Sequence, residues 1–188
     1  MVQFDVRQIT EHITEFLGRF HERMYLVKGR ERAALIDTGC GFGSLRAEVD
    51  RRNELPLIVL LTHGHQDHAM GAGEFEEVYL TPIDREVYER QKNPAYRLLG
   101  LSISRDAVNV TPEDMLTPPP FEFFKPVRAG DVFDLGDTSL EATLEDTTIL
   151  YRPLFRGSDP IWAHALLRAV TPHCAGSKSA SQGDAVHQ

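Results

Sequence analysis

The sequence predicts an α/β domain in which strands and helices stack in layers. Three observations carry that reading. Leu57-Ile58-Val59-Leu60-Leu61 is an unbroken apolar run, the pattern of a strand buried on both faces. Met24-Tyr25-Leu26-Val27 and Ala33-Ala34-Leu35-Ile36 flank the polar stretch Lys28-Gly29-Arg30-Glu31, as the arms of a hairpin flank its turn. Strand-like runs are then followed repeatedly by helix-like ones, which is how a sheet covered by helices is written.

Taken in chain order, Ile9, Ile13, Phe16, Leu17 and Phe20 fit an amphipathic helix by their period. His12 and His21 in this region read as polar-face residues. After the hairpin, Ser44 is placed to cap a helix in which Leu45 and Val49 lie four apart and Glu48 sits on the first turns; it ends before Pro56. The apolar strand follows, then a shorter one at Glu77-Val78-Tyr79-Leu80, and Pro82 opens a helix carrying Asp84, Glu86, Val87 and Tyr88. Residues 93–125, with Pro94, Pro112, Pro118, Pro119 and Pro120, predict an irregular loop over a pocket mouth. Phe121, Phe123 and Phe124 either line that mouth or pack on the core.

Composition narrows the function. At 188 residues, 41% apolar and 26% charged, the chain has material for one sizeable core. A net charge of −8 argues against binding nucleic acid, which needs clustered Lys and Arg. The longest apolar run is far too short to span a bilayer and no basic-then-apolar leader precedes Phe4, so a cytoplasmic protein without membrane partners is expected. Cys40 and Cys174 make no disulfide framework. Cys40 reads as a small buried residue, with a place beside the metal pocket as the alternative.

The chemistry is concentrated in Thr62-His63-Gly64-His65-Gln66-Asp67-His68, directly after the apolar strand. At an extended strand end, His63 and His65 point to the same side and converge on one Zn²⁺. Asp67 and His68 follow in a turn that presents a carboxylate and another imidazole to a second metal. Zinc held this way with an open position lowers the pKa of bound water to about 7. Asp67 is the candidate catalytic residue, holding the resulting hydroxide and later acting as the acid toward the leaving group.

On these residues the chain resembles the metallo-β-lactamase-fold hydrolases, whose signature is an HxHxDH loop after a buried strand. Ala33-Ala34-Leu35-Ile36-Asp37-Thr38-Gly39 is similar to the family's strand ending in an Asp-Thr-Gly turn, and Asp37 would stand behind the ligands rather than be one. Asp67-His68-Ala69-Met70-Gly71-Ala72 resembles the short helix after the ligand loop, and Gly130-Asp131-Val132-Phe133-Asp134-Leu135-Gly136 the turn and strand before the next ligand. The resemblance implies a metallo-β-lactamase-like αββα sandwich and places strand structure at the N-terminus.

The match covers about residues 20–142. The family's Pro-Gly-His loop and strand ending in Gly-Asp do not follow in their usual form. Thr171-Pro172-His173 and Gly183-Asp184 are the nearest approximations, with His173 late and Asp184 too close behind it. Residues 1–142 are therefore read as the N-terminal part of the domain, with an incomplete second half, and 143–188 as a divergent, partly disordered tail. The abrupt end within a strand predicts a tail outside the ancestral reading frame, which translation of the other frames tests.

Three functions follow from this sequence. The first is a zinc-dependent hydrolase of an ester, thioester, amide or lactam in a small-molecule substrate, with a glyoxalase II-like thioester branch among its classes. The second is an iron-dependent oxidoreductase on the same fold, which metal analysis distinguishes. The third is an inactive or weakly metal-binding truncated remnant.

Overall fold

Strand pairing follows chain order through the larger of two sheets. β1 (Asp5–Gln8), β2 (Ile13–Leu17), β3 (Arg23–Lys28), β4 (Ala33–Ile36), β5 (Leu57–Leu60), β6 (Val78–Leu80) and β7 (Lys125–Pro126) lie side by side in that sequence. β1 to β4 pair antiparallel and β4 to β7 pair parallel. β8 (Val132–Asp134), β9 (Thr138–Glu145) and β10 (Thr148–Phe155) form a second, antiparallel sheet with β9 in the middle. The computed structural model describes residues 3–103, 111–145 and 148–155.

Period-two alternation builds the layers. Met24 and Leu26 of β3, Ala33 and Leu35 of β4, and Val59 of β5 join one core cluster with Leu45, Val49 and Tyr88 from the helices. Their neighbours Tyr25, Val27, Ala34, Ile36, Ile58 and Leu60 join another with Leu140 and Ala142 of β9 and Leu135 of the turn before it. The larger sheet is therefore covered by helices on one face and by the smaller sheet on the other. The described residues thus carry the helix layer and both sheets of the expected sandwich, with three strands of the second sheet among them.

Several elements form where the sequence places them. The hairpin of β3 and β4 closes in register Tyr25↔Ile36. α1 (Leu45–Asp50) starts at Ser44, whose hydroxyl accepts the Ala47 N–H at 3.1 Å. α2 (Gln66–Ala69) follows the ligand loop, and a 3₁₀ turn at Pro82–Asp84 leads into α3 (Arg85–Gln91).

Two regions differ from expectation. The N-terminal residues form β1 and β2, the strand structure that the family resemblance implies and not the helix that the period of Ile9 to Phe20 suggests. Ile13 and Phe16, three apart, face opposite cores, as strand geometry requires. Thr14 and Glu15 are buried as well, and Glu15 is satisfied by Arg7, Arg23 and Tyr25. Partners on the adjacent strands β1 and β3 thus bury polar residues and erase the alternation that marks a strand. The stretch 93–125 is also more regular than its prolines suggest. It contains α4 (Pro94–Ile103) and 3₁₀ turns at Pro112–Asp114 and Phe121–Phe123. Pro94 occupies the first helical turn, where its missing N–H costs nothing, and the Asn93 side chain accepts the Ala95 N–H at 2.9 Å. Phe121 and Phe124 pack on Tyr88 in the core, with Phe123 against them.

Residue 142 lies inside β9. Of the segment expected to diverge, only the rest of β9 and β10 is described, and His173, Cys174 and Asp184 lie outside the described residues. Among the described residues no helix is long and apolar enough to cross a membrane.

Candidate metal centre

The parallel register Ile36↔Leu60 brings the ends of β4 and β5 to the same edge of the sheet. Carboxyl ends of parallel strands are where α/β sheets commonly hold ligands. Beyond Ile36 the chain turns at Asp37, which adopts the left-handed conformation with φ 61°, a region that Asp tolerates better than most residues. Asp37 is 4% exposed. Its Oδ1 accepts the Thr62 N–H at 2.8 Å, and the Thr62 hydroxyl lies 3.0 and 2.9 Å from its two oxygens. His68 Nδ1 stands 2.8 Å from Oδ2.

The rest of the turn grips α2. Thr38 donates its N–H and hydroxyl to the His68 carbonyl at 2.7 and 3.0 Å, and Met70 N–H donates to the Gly39 carbonyl at 3.1 Å. This contact leaves no room for side chains. A Cβ on Gly71 would stand 2.4 Å from the Thr38 carbonyl oxygen, and one on Gly41, itself at φ 71°, 2.5 Å from that of Met70.

The hydrogen-bond chain assigns the tautomer of His63. A carboxylate only accepts, so the Thr62 hydroxyl donates to Asp37. Thr62 Oγ1, 2.9 Å from His63 Nδ1, then accepts the imidazole N–H, and the lone pair of His63 falls on Nε2.

The motif side chains gather at one mouth. The His63 ring centroid lies 3.9 Å from that of His68 and 4.8 Å from that of His65. His63 is buried, while His65 and Asp67 are exposed. Burial, helped by the charge of His68, lowers the pKa of His63 to about 4. Partial desolvation of the otherwise exposed His65 ring also lowers its pKa. For Asp67, burial alone would raise the pKa, but the hydrogen bond and charge of His68 bring it down to about 2. Burial opposes the imidazolium of His68, yet Asp37 and Asp67 outweigh it and raise its pKa to about 10. The mouth therefore holds two neutral imidazoles, an ionised carboxylate, and an imidazolium whose Nε2 lies 3.2 Å from Asp67 Oδ2. Among the described residues no three His, Cys, Asp or Glu side chains are grouped as a metal cage.

Sequence reasoning assigns no part to Thr62 or Arg97. The signal for Thr62 is a hydroxyl at the junction of a buried strand and a ligand loop; Arg97, remote in sequence, offers none. Arg97 is 3% exposed and donates to the carbonyls of Cys40 and Leu116 at 2.9 and 2.6 Å. It braces the loop after Gly39, and burial lowers its pKa to about 10. Cys40 is partly buried. Burial and the neighbouring Glu22 carboxylate push its thiol pKa well up, which keeps it protonated and unreactive.

A model of the metallo-beta-lactamase superfamily matches residues 17–150, from the end of β2 into β10. The chain belongs to the metallo-beta-lactamase superfamily. Within that superfamily it is similar to the acyl-coenzyme A thioesterase MBLAC2 of Gallus gallus, 29% identical over 140 residues that cover 65% of this chain and 50% of the relative. The Bos taurus protein of the same name is 33% identical over 92 residues, covering 40% of this chain and 33% of the relative. The chain thus spans at most about half the length of these relatives. Among solved structures, a metallo-beta-lactamase from Pontibacter korlensis superposes with a TM-score of 0.51 at 17% identity, over 80% of this chain and 66% of that one. A beta-lactamase domain protein from Burkholderia ambifaria gives 0.50 at 16%, over 79% and 51%. These two likenesses concern the fold alone.

Proposed function

We propose that this superfamily member is a zinc-dependent hydrolase of small-molecule substrates, with thioesters as the favoured class among ester, thioester, amide and lactam bonds. The observation that carries the reading is the gathering of His63, His65, Asp67 and His68 at one mouth behind which Asp37 and Thr62 fix the imidazoles. The thioesterase names of the relatives favour the substrate class.

The donor chemistry suits zinc. His63 and His65 are neutral and free to give a lone pair, and Asp67 is ionised. In this reading His63 and His65 serve one metal position, and Asp67 and His68 a second. His68 must first give up the Nε2 proton it shares with Asp67, so uptake is coupled to proton release. Zinc, when bound, activates water near neutral pH and polarises the scissile carbonyl. Asp67, ionised at the open side of the mouth, takes the proton of the attacking water on its carboxylate and returns it to the leaving group.

Metal analysis after dialysis of the full chain, with a thiol-release assay on acyl-coenzyme A thioesters, tests this. Stable zinc and a thioesterase rate lost in His63→Ala are expected. A rate indifferent to His63→Ala overturns the site. Tightly held iron with a visible absorption band favours the oxidoreductase reading, and no retained metal with no turnover favours a remnant.

A further inference from the structure

The ligand loop is backed at Gly64 and Gln66 by one stripe of α3. Asp84, at the N-cap position, Tyr88 and Gln91 follow the spacing i, i+4, i+7, which puts them on a single helix face. All three are buried, Asp84 at 4% exposure and Gln91 at 5%. Gln91 Oε1 accepts the Gln66 N–H at 2.8 Å. Asp84 does not cap its own helix; it packs against Gly64, whose N–H holds the Asp84 pKa down against burial. Its Oδ2 is buried without a hydrogen-bond partner. Between these two anchors, a Cβ on Gly64 would lie 3.0 Å from the Tyr88 Cβ and 3.1 Å from the Asp84 Cβ.

Polar side chains at both ends of a short helix would ordinarily face water or cap the helix. Here they are buried against the two peptide groups that bracket His65, Gln91 by its hydrogen bond to Gln66 and Asp84 by packing on Gly64. His65 is itself exposed, and its side chain makes no capping bond to α2. Apart from the edge-on contact with the His63 ring, its ring direction follows from its backbone.

We infer that the Asp84–Tyr88–Gln91 stripe is a positioning element for His65, pinning the peptide groups on either side of it so that its imidazole meets the same point as that of His63. The inference rests on His65 being a metal ligand, as proposed above.

The test uses the full chain carrying Gln91→Met, which removes the acceptor, and Gln91→Glu, which keeps one. Amide hydrogen exchange is followed without metal, and Co²⁺ uptake by its visible absorption. Gln91→Met is expected to speed exchange at Gln66 and to weaken Co²⁺ binding about 10- to 100-fold, with Gln91→Glu within about threefold of the unaltered chain. Asp84→Leu and Asp84→Asn should repeat the contrast at Gly64. A Gln91→Met chain that keeps slow exchange at Gln66 overturns the inference, as does Gln91→Glu weakening Co²⁺ as much as Gln91→Met. If the unaltered chain takes up no Co²⁺, the metal reading fails, and exchange at Gln66 and Gly64 alone decides the brace.

Discussion

His68 is gripped at both ends by the Asp-Thr-Gly turn: its Nδ1 lies 2.8 Å from Asp37 Oδ2, and its backbone carbonyl takes two hydrogen bonds from Thr38. Residues thirty positions apart therefore behave as one unit, and the direction of the His68 ring depends on a strand it does not belong to. Its Nδ1–H is committed to Asp37, which leaves Nε2 to face the mouth. A hydrogen bond to the far nitrogen is the usual way a protein fixes the orientation of a metal-binding histidine.

Asp37→Ala should be severe. It leaves the buried Thr62 N–H without an acceptor and puts alanine at φ 61°, together costing roughly 2–4 kcal/mol. Asp37→Asn tolerates the backbone and keeps one acceptor, so it should cost less. Urea midpoints rank the two, and an alanine variant as stable as the unaltered chain would sink the argument.

Thr62→Val keeps shape and removes the hydroxyl that links His63 to Asp37. The fold should lose only about 1 kcal/mol, whereas zinc affinity should fall about tenfold or more. Imidazole nitrogen NMR provides the direct check: His63 should lose its single tautomer. An unchanged spectrum would mean that Thr62 does not set it.

Gly64→Ala meets Tyr88 and Asp84 at 3.0 and 3.1 Å, and overpacking of this kind costs about 1–3 kcal/mol. Gly71→Ala meets a carbonyl oxygen at 2.4 Å and should be worse, because backbone cannot swing aside as a side chain can. Thermal midpoints in the reverse order would count against the packing account.

Burial raises the Asp84 pKa to about 6, the Gly64 N–H opposing it. A carboxyl with a folded pKa above its unfolded value contributes stability that is complete below about pH 4 and lost as pH rises through 6. At pH 8 the buried charge therefore costs on the order of 1–3 kcal/mol. Asp84→Asn should be more stable than the unaltered chain at pH 8 and should flatten the stability profile between pH 4 and 6. Parallel profiles for the two chains would refute this.

Local signals in the sequence were enough for the elements that rest on local physics. The run from Leu57 to Leu61 reads as a buried strand by its length and β-branched residues, Ser44 caps the helix that starts at Leu45, and HxHxDH marks the mouth. Legibility fails where tertiary partners decide. Glu15 is buried because Arg7, Arg23 and Tyr25 come to it from the neighbouring strands, a pairing that the helical period of the same residues does not reveal. α4 is hidden by the prolines that surround it. The stripe of Asp84, Tyr88 and Gln91 has ordinary helical spacing, and only the packing of α3 reveals that its polar members hold another loop.

The order of the large sheet bears on how the chain reaches this fold. Each strand from β1 to β7 lies beside its predecessor in sequence; the antiparallel pairings of β1 to β4 close across short turns and lose little chain entropy before contacts form, whereas β7 returns to β6 only across residues 81–124. Assembly can then proceed from the N-terminus as synthesis advances. The Asp-Thr-Gly turn and the ligand loop would be docked before β8 is made. Pulsed hydrogen exchange should find β2 to β5 protected ahead of β8 and β9, and the mouth would take shape early, on a half-built protein.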